Sequence, residues 1–169
     1  MLTGSFASVY YGSPRSTQDV DLVIDPTREQ LSALIADLPT NEYYADMDAA
    51  LEARERRSLF NIIDMKTGWK IDMIIRKDRP FSREEFSRRQ QIIVQGTSLF
   101  VASVEDIILA KLEWARLAQS SRQIEDAAGV MRIRWDSLDQ PYLQRWIPQL
   151  ALEKEWKDAL RLADISRRF

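Results

Sequence analysis

The chain has 169 residues, a formal net charge of −2, an apolar fraction of 45% and a charged fraction of 30%. This length suits one domain or an α/β core with a helical appendage, and the composition is ordinary for a globular protein. Cysteine and histidine are absent, which excludes disulfides, thiolate or imidazole metal ligands and serine–histidine triads. Any catalysis must therefore use carboxylates, lysines, hydroxyl groups and a hard metal ion.

No apolar stretch approaches the roughly 18 residues of a membrane span, and the first residues lack the pattern of a secretion signal. We therefore expect a cytoplasmic protein without a membrane partner. Residues 76–89 carry six basic against three acidic side chains, a local sum of +3. A solvated helix face explains this stretch as well as an RNA contact does, and we prefer the solvated face.

Short runs with alternating periodicity divide the first 102 residues into helices and strands. Ser5 is placed to cap the first predicted helix, and Gly96 lies between the strands of the second predicted hairpin. We predict helices over 5–11, 27–38 and 82–90, a strand over 19–24, and hairpins pairing 58–65 with 69–76 and 91–94 with 98–102.

From Ser103 onward the pattern is helical only. Ser103, followed by two acids, is a typical helix N-terminus. Pro141 suits the first turn of a later helix. We predict helices over 104–119, 122–132, from about 140, and 153–167. The expected fold class is α+β, with an α/β core over 1–102 and a helical segment over 103–169 packed on it.

Two aspartates occupy alternate positions of the strand predicted over 19–24. Side chains at i and i+2 of a strand point to the same face, so Asp19 and Asp21 lie together. Two carboxylates so placed repel each other unless a cation lies between them. Oxygen ligands alone favour Mg²⁺ or Mn²⁺, whereas an edge strand that presents its polar face to water explains the pattern without a metal.

A third aspartate, Asp72, lies in the predicted strand 69–76 among apolar residues. Burying a lone carboxylate costs on the order of several kcal/mol unless the group is paired or bound to a metal. Asp64 is a rival for the same role. It lies beside the predicted turn, where a solvated acid is common, and we therefore prefer Asp72.

Three such carboxylates suit phosphoryl or nucleotidyl transfer. In a two-metal site, one ion activates the attacking hydroxyl group and the other neutralises charge on the departing pyrophosphate. Asp19 and Asp21 are expected to bridge the ions. Asp72 is expected to hold the ion that activates the acceptor, and it can take the acceptor's proton.

The pattern Gly4-Ser5, Arg15, Thr17, Asp19-Val20-Asp21-Leu22 and a later Asp72 resembles the DNA polymerase β-type nucleotidyltransferase superfamily. It is most similar to the minimal, AbiEii-like branch of bacterial toxin–antitoxin and abortive-infection systems. The resemblance implies a mixed-sheet nucleotidyltransferase core with Mg²⁺ or Mn²⁺ at the three aspartates. It also implies that Gly4, Ser5 and Arg15 bind the phosphates of a nucleoside triphosphate.

The helix predicted from Val104 carries Lys111 on its apolar face. A lysine in that position needs a partner for its ammonium group or must extend to the surface. The same branch has a similar Lys-Leu-x-x-x-Arg helix followed by an acid, which here corresponds to Lys111-Leu112, Arg116 and Asp126. The resemblance implies that Lys111 neutralises nucleotide phosphates and that Asp126 is a neighbouring or orienting residue.

The resemblance covers about residues 3–131. Family members have a helix and a full first strand before the Gly-Ser turn, whereas only three residues precede Gly4 in this sequence. We therefore expect the codons upstream of Met1 to supply an amphipathic helix.

Three functions follow from the sequence. The first is a Mg²⁺-dependent nucleotidyltransferase that moves a nucleoside monophosphate from a nucleoside triphosphate to a hydroxyl group on RNA, a protein or a small molecule. The second is a catalytically weak or inactive interaction module of the same fold, an antitoxin or scaffold that binds the product of an adjacent gene. The third is RNA binding through residues 76–89 without chemistry.

Overall fold

The structure, a computed structural model, describes residues 1–13, 17 and 19–165. These residues form an α+β fold with a seven-stranded mixed sheet and eight α-helices. They fall into two compact units. The first comprises the described residues of 1–6 and 16–101, and the second those of 7–15 and 102–169.

The sheet belongs to the first unit and has the strand order β3-β4-β5-β2-β1-β7-β6. Two strand pairs, β2 with β5 and β1 with β7, are parallel, and the other neighbours are antiparallel. The strands are β1 (Leu2–Thr3), β2 (Asp19–Ile24), β3 (Tyr43–Ala45), β4 (Leu59–Asp64), β5 (Lys70–Ile75), β6 (Gln90–Val94) and β7 (Thr97–Val101).

Helix α1 (Gly4–Tyr10) follows β1 directly, and α2 (Arg28–Ala36), α3 (Met47–Arg56) and α4 (Pro80–Ser87) lie between later strands. One face of the sheet packs against α2 and α3. Since alternate strand residues face opposite sides, this packing directs the intervening polar residues of β2 and β5 to the other face. The core comprises Leu31, Ile35, Ala50, Ala53, Phe60, Ile62, Met73 and Ile75.

The second unit is helical, with α5 (Val104–Ala118), α6 (Ser121–Arg134), a 3₁₀ turn (Trp135–Ser137), α7 (Gln140–Gln149) and α8 (Glu153–Leu162). Ser103 caps α5 by accepting a hydrogen bond from the amide of Asp106. The buried Asp106 carboxylate also accepts the hydroxyl groups of Ser103 and Tyr142. Within the described part of the chain, no helix combines the length and apolar character needed to span a bilayer.

Most predicted elements are confirmed, among them the strand over 19–24, both hairpins, and helix starts after Ser103 and Asp139. Three helix predictions need correction. The first helix begins at Gly4, so that Ser5 lies inside its first turn and is not its cap. Helix α4 begins at Pro80, whose fixed φ suits a first turn, and it ends before Gln90 opens β6.

The last helix ends at Leu162, earlier than predicted, and Asp164 has the left-handed conformation that terminates helices. The remainder of that prediction, residues 166–167, lies outside the described residues, as does Arg15. Strand β3 and helix α3 have no counterpart in the sequence prediction.

Candidate active site

Four polar side chains form a row across the sheet of the first unit. Thr3 lies opposite Asp21 on the pair β1–β2, and Asp21 lies opposite Asp72 on the pair β2–β5. Asn61 of β4 lies opposite Asp72 from the other side. Residues opposite each other in a ladder share a face, so Thr3, Asp21, Asp72 and Asn61, here called the polar row, face away from the α2–α3 core.

Asp72 is the most strongly held carboxylate of the row. Its Oδ1 atom accepts a hydrogen bond from Asn61 Nδ2 at 2.6 Å. Lys70 Nζ lies 3.2 Å from the same oxygen, and the Asp72 side chain is 18% exposed. The Asn61 amide and the Lys70 ammonium group therefore supply the partners that a carboxylate in an apolar strand needs.

Lys70 links Asp72 to the third predicted aspartate. It lies opposite Asp19 on the β2–β5 pair, and its Nζ is 3.8 Å from Asp19 Oδ1. The hydrogen bond to Asp72 raises the pKa of Lys70 above its ordinary value, and the charges of Asp72, Asp19 and Asp21 act in the same direction. Lys70 is therefore an ammonium ion among the three carboxylates at neutral pH.

Gly4 lies directly against the carboxylate of Asp21. Its φ of +62° is in the left-handed region, and a Cβ atom at this position lies only 1.9 Å from Asp21 Oδ2. Glycine is required here by both the backbone conformation and the lack of space. The predicted Gly4-Ser5 phosphate turn is thus adjacent to the polar row, and Ser5 is buried beside it.

An aromatic contact ties the start of α1 to the start of β5. The rings of Phe6 and Trp69 lie 5.6 Å apart between centroids, tilted by 49°. Trp69 immediately precedes Lys70. This contact fixes the Gly4-Ser5 turn relative to the strand that carries Lys70 and Asp72.

Asp64, the rival of Asp72, stabilises a turn. Its carboxylate accepts hydrogen bonds from the amides of Lys66 and Thr67 and from the Thr67 hydroxyl group. The hydroxyl hydrogen bond is the main cause that lowers the pKa of Asp64 below its ordinary value. Asp64 therefore closes the β4–β5 hairpin, and Asp72 is the acid that faces Asp21.

The donor set fits a hard divalent cation, because Asp19, Asp21 and Asp72 offer only carboxylate oxygens. Among the residues that the structure describes, however, no three acidic side chains are grouped so that they could hold an ion as they stand. As they stand, two of these carboxylates, those of Asp19 and Asp72, pair with the ammonium group of Lys70.

In the second unit, Lys111 is buried on α5, with 4% of its side chain exposed. Its Nζ lies 3.0 Å from Oδ2 of Asp126 on α6, a side chain that is 17% exposed. The alternative that Lys111 extends to the surface is therefore wrong. The predicted neighbour Asp126 is its ion-pair partner, whereas Arg116 is exposed.

The basic stretch 76–89 is largely engaged with its own surroundings. Arg76 pairs with Asp25 at 2.7 Å, and Arg83 pairs with Asp78 at 2.7 Å. Arg89 lies over the ring of Phe100, 4.9 Å from its centroid. The acidic partners of Arg76 and Arg83 neutralise their charge, which leaves less positive charge for an RNA interaction.

Sequence reasoning does not identify Thr3, Asn61 or Lys70 as site residues. For Asn61 a signal exists, because a tight turn around Thr67-Gly68 sets the hairpin register that places Asn61 opposite Asp72. Lys70 and Thr3 can be recognised as site residues only when their positions opposite Asp19 and Asp21 of β2 are known. The local sequence does not show which strands pair with β2.

No protein-family model and no curated protein matches the sequence. Among solved structures, an antigenic nucleotidyltransferase-like protein from Paracoccidioides brasiliensis is similar, with a TM-score of 0.51 and 16% sequence identity. The alignment covers 95% of this chain and 83% of that protein. At this identity the similarity concerns the fold, and membership of the AbiEii-like branch stays a prediction. The chain therefore has a nucleotidyltransferase-like fold, with the polar row on its sheet.

Proposed function

We propose that the protein is a nucleotidyltransferase that moves a nucleoside monophosphate from a nucleoside triphosphate to a hydroxyl group. The observation that carries the proposal is the pairing of Asp21 and Asp72 on adjacent parallel strands, with Gly4 against the Asp21 carboxylate. The nucleotidyltransferase-like fold supports it.

Asp19, Asp21 and Asp72 are the residues that would hold Mg²⁺ or Mn²⁺. Bound there, a divalent ion would neutralise phosphate charge and lower the pKa of the acceptor hydroxyl group. The acceptor oxygen attacks the α-phosphorus, the bond from this phosphorus to the bridging oxygen breaks, and pyrophosphate departs. Asp72 takes the hydroxyl proton, and the Asn61 amide keeps the Asp72 carboxylate oriented.

The triphosphate is bound by groups outside the row. Gly4 and Ser5 contact it at the start of α1, and Arg15 adds a positive charge. For Lys111 of the second unit, the family resemblance supports a role in neutralising phosphate charge, with Asp126 as the residue that orients it. The acceptor is an RNA, a protein or a small molecule, and the setting is a toxin–antitoxin or abortive-infection system of the cytoplasm.

The direct test incubates the protein with α-labelled nucleoside triphosphates, Mg²⁺ and RNA, protein or small-molecule acceptors. Wild type is expected to transfer label, and Asp21→Asn and Asp72→Asn are expected to lose about 10²–10⁴-fold in rate. Asp64→Asn, which alters an acid of the same hairpin, is the control and should retain transfer. Equal transfer by all four proteins, or no nucleotide binding by any of them, contradicts the proposal.

A second function, a non-catalytic antitoxin or scaffold, is favoured by one observation. The Lys70 ammonium group already neutralises part of the carboxylate charge. In this function the product of an adjacent gene is the partner. Co-expression should then yield a stable complex that Asp21→Asn and Asp72→Asn leave intact, with no label transfer by wild type.

A further inference from the structure

We infer that Lys70 occupies the cation position among Asp19, Asp21 and Asp72, and that a divalent ion must displace it to bind. Lys70 is thus a positioning residue that sets the metal affinity of the site. The inference rests on the proposed function, because it concerns the ion that the three aspartates would hold.

The Lys70 ammonium group forms ion pairs with carboxylates of two strands, Asp19 on β2 and Asp72 on β5. Lys70 Nζ is 3.2 Å from Asp72 Oδ1 and 3.8 Å from Asp19 Oδ1. A divalent ion needs the lone pairs of the same oxygens, and two positive charges at one position repel each other. The ammonium group and the ion are therefore alternatives at this position.

The charge balance favours exchange of the two cations. Three carboxylates carry a charge of −3, which the Lys70 ammonium group reduces to −2 and a divalent ion in its place reduces to −1. The Lys70 side chain is 39% exposed, so its ammonium group can move into water on its flexible stem without being buried elsewhere. Asn61 holds Asp72 independently at 2.6 Å, so the carboxylate keeps a partner when Lys70 leaves.

The test measures Mn²⁺ binding to the metal-free protein by electron paramagnetic resonance at fixed ionic strength. Lys70→Met is compared with wild type and with Lys66→Met, which removes the same charge from an exposed position of the β4–β5 turn. We expect Lys70→Met to lower the Kd for Mn²⁺ at least about tenfold and Lys66→Met to change it less than about threefold.

Thermal unfolding gives a second readout that does not depend on activity. Without metal, Lys70→Met should melt below wild type, because its carboxylates lose their cation. Saturating Mn²⁺ should raise its Tm by more than that of wild type, since a ligand stabilises according to its affinity. Lys70→Gln serves in the same comparisons where the methionine variant does not fold.

The outcomes separate this inference from the proposed function. An unchanged or higher Kd in both Lys70 variants, with wild type binding Mn²⁺, overturns the inference and leaves the proposed function standing. Absence of Mn²⁺ binding in every protein overturns both. A gain in affinity that disappears when Asp72→Asn is added to Lys70→Met locates the exchange at this site and supports the inference.

Discussion

Asp21 and Asp72 occupy directly opposite positions on the parallel strands β2 and β5. Neighbouring strands lie about 4.8 Å apart, so this register alone brings two carboxylates from distant parts of the sequence together. The Asn61 amide holds one of them, and the other lies against Gly4.

The first prediction concerns the orientation of Asp72. Asn61→Ala removes the amide that donates to Asp72 Oδ1, so the carboxylate gains rotational freedom. Partners of this kind typically contribute 10–100-fold to activity or metal affinity. We expect about a tenfold loss of kcat in the transfer assay, with a smaller change in KM for the nucleotide. An unchanged kcat shows that Asn61 does not position Asp72.

The second prediction concerns Gly4. Gly4→Ala places a methyl group within the space of the Asp21 carboxylate, at a φ of +62°. Gly96→Ala is a matched control, because Gly96 has a φ of +80° and open space around its absent Cβ. Both should lose about 1–2 kcal/mol in the free energy of unfolding from the left-handed backbone.

Gly4→Ala alone should also displace Asp21 and abolish label transfer. Urea denaturation and the transfer assay on both variants distinguish the two effects. Equal activity of Gly4→Ala and Gly96→Ala means that the Gly4-Ser5 turn is not part of the site.

The third prediction concerns the buried ion pair of the helical unit. Asp126→Asn removes the charged partner of an ammonium group that is 4% exposed. This change should lower the free energy of unfolding by roughly 3 kcal/mol. Lys111→Met should cost less, because methionine fills the space and the 17% exposed Asp126 retains contact with water.

If Lys111 binds nucleotide phosphate, Lys111→Met should also weaken nucleotide binding by at least about tenfold. Isothermal titration with a non-hydrolysable nucleoside triphosphate, alongside urea denaturation, measures both quantities. Unchanged nucleotide affinity assigns Lys111 a structural role only.

The fourth prediction concerns alkaline pH. The Tyr11 hydroxyl group donates to the Ala102 carbonyl at 2.9 Å. Burial raises the pKa of Tyr11 to about 12, and Tyr10 and Glu105 add to the shift. In the unfolded chain the phenol ionises near its ordinary pKa of 10. Between pH 10 and 12 the unfolded state therefore binds fewer protons, and the free energy of unfolding falls as pH rises.

Tyr11→Phe should lower the free energy of unfolding by about 1 kcal/mol at pH 8. The difference from wild type should be constant below pH 10, shrink above it and change sign before pH 12, because a pKa shift of this size outweighs about 1 kcal/mol. Urea denaturation at intervals from pH 8 to 12 measures it. A difference that stays constant over this range contradicts the assigned pKa.

The local elements of the site could be predicted because apolar and polar residues alternate within them. Val20 lies between Asp19 and Asp21, and Leu22 follows Asp21. Ile71 and Met73 flank Asp72 in the same way, so each strand and its polar face can be predicted from the sequence. The register between β2 and β5 could not be predicted, because it joins segments far apart in the chain. A lysine at the first position of a strand is ordinary, and Lys70 becomes significant only when Asp19 is known to lie opposite.

Helix α3 was not predictable for a different reason. Its fully buried side chains are the small ones of Ala50 and Ala53, Met47 and Leu51 are only partly buried against the same core, and most of its other residues are charged. Small apolar residues give a weak periodic signal, so the apolar face of this helix is too faint to predict it from the sequence.

The most direct test of the central claim is a crystal structure with Mn²⁺ and a non-hydrolysable nucleoside triphosphate. We predict an anomalous manganese peak in contact with the carboxylates of Asp21 and Asp72, with the triphosphate beside Gly4 and Ser5 and the Lys70 ammonium group moved away. A bound nucleotide elsewhere on the chain, with no manganese at these aspartates and Lys70 in place, contradicts the claim.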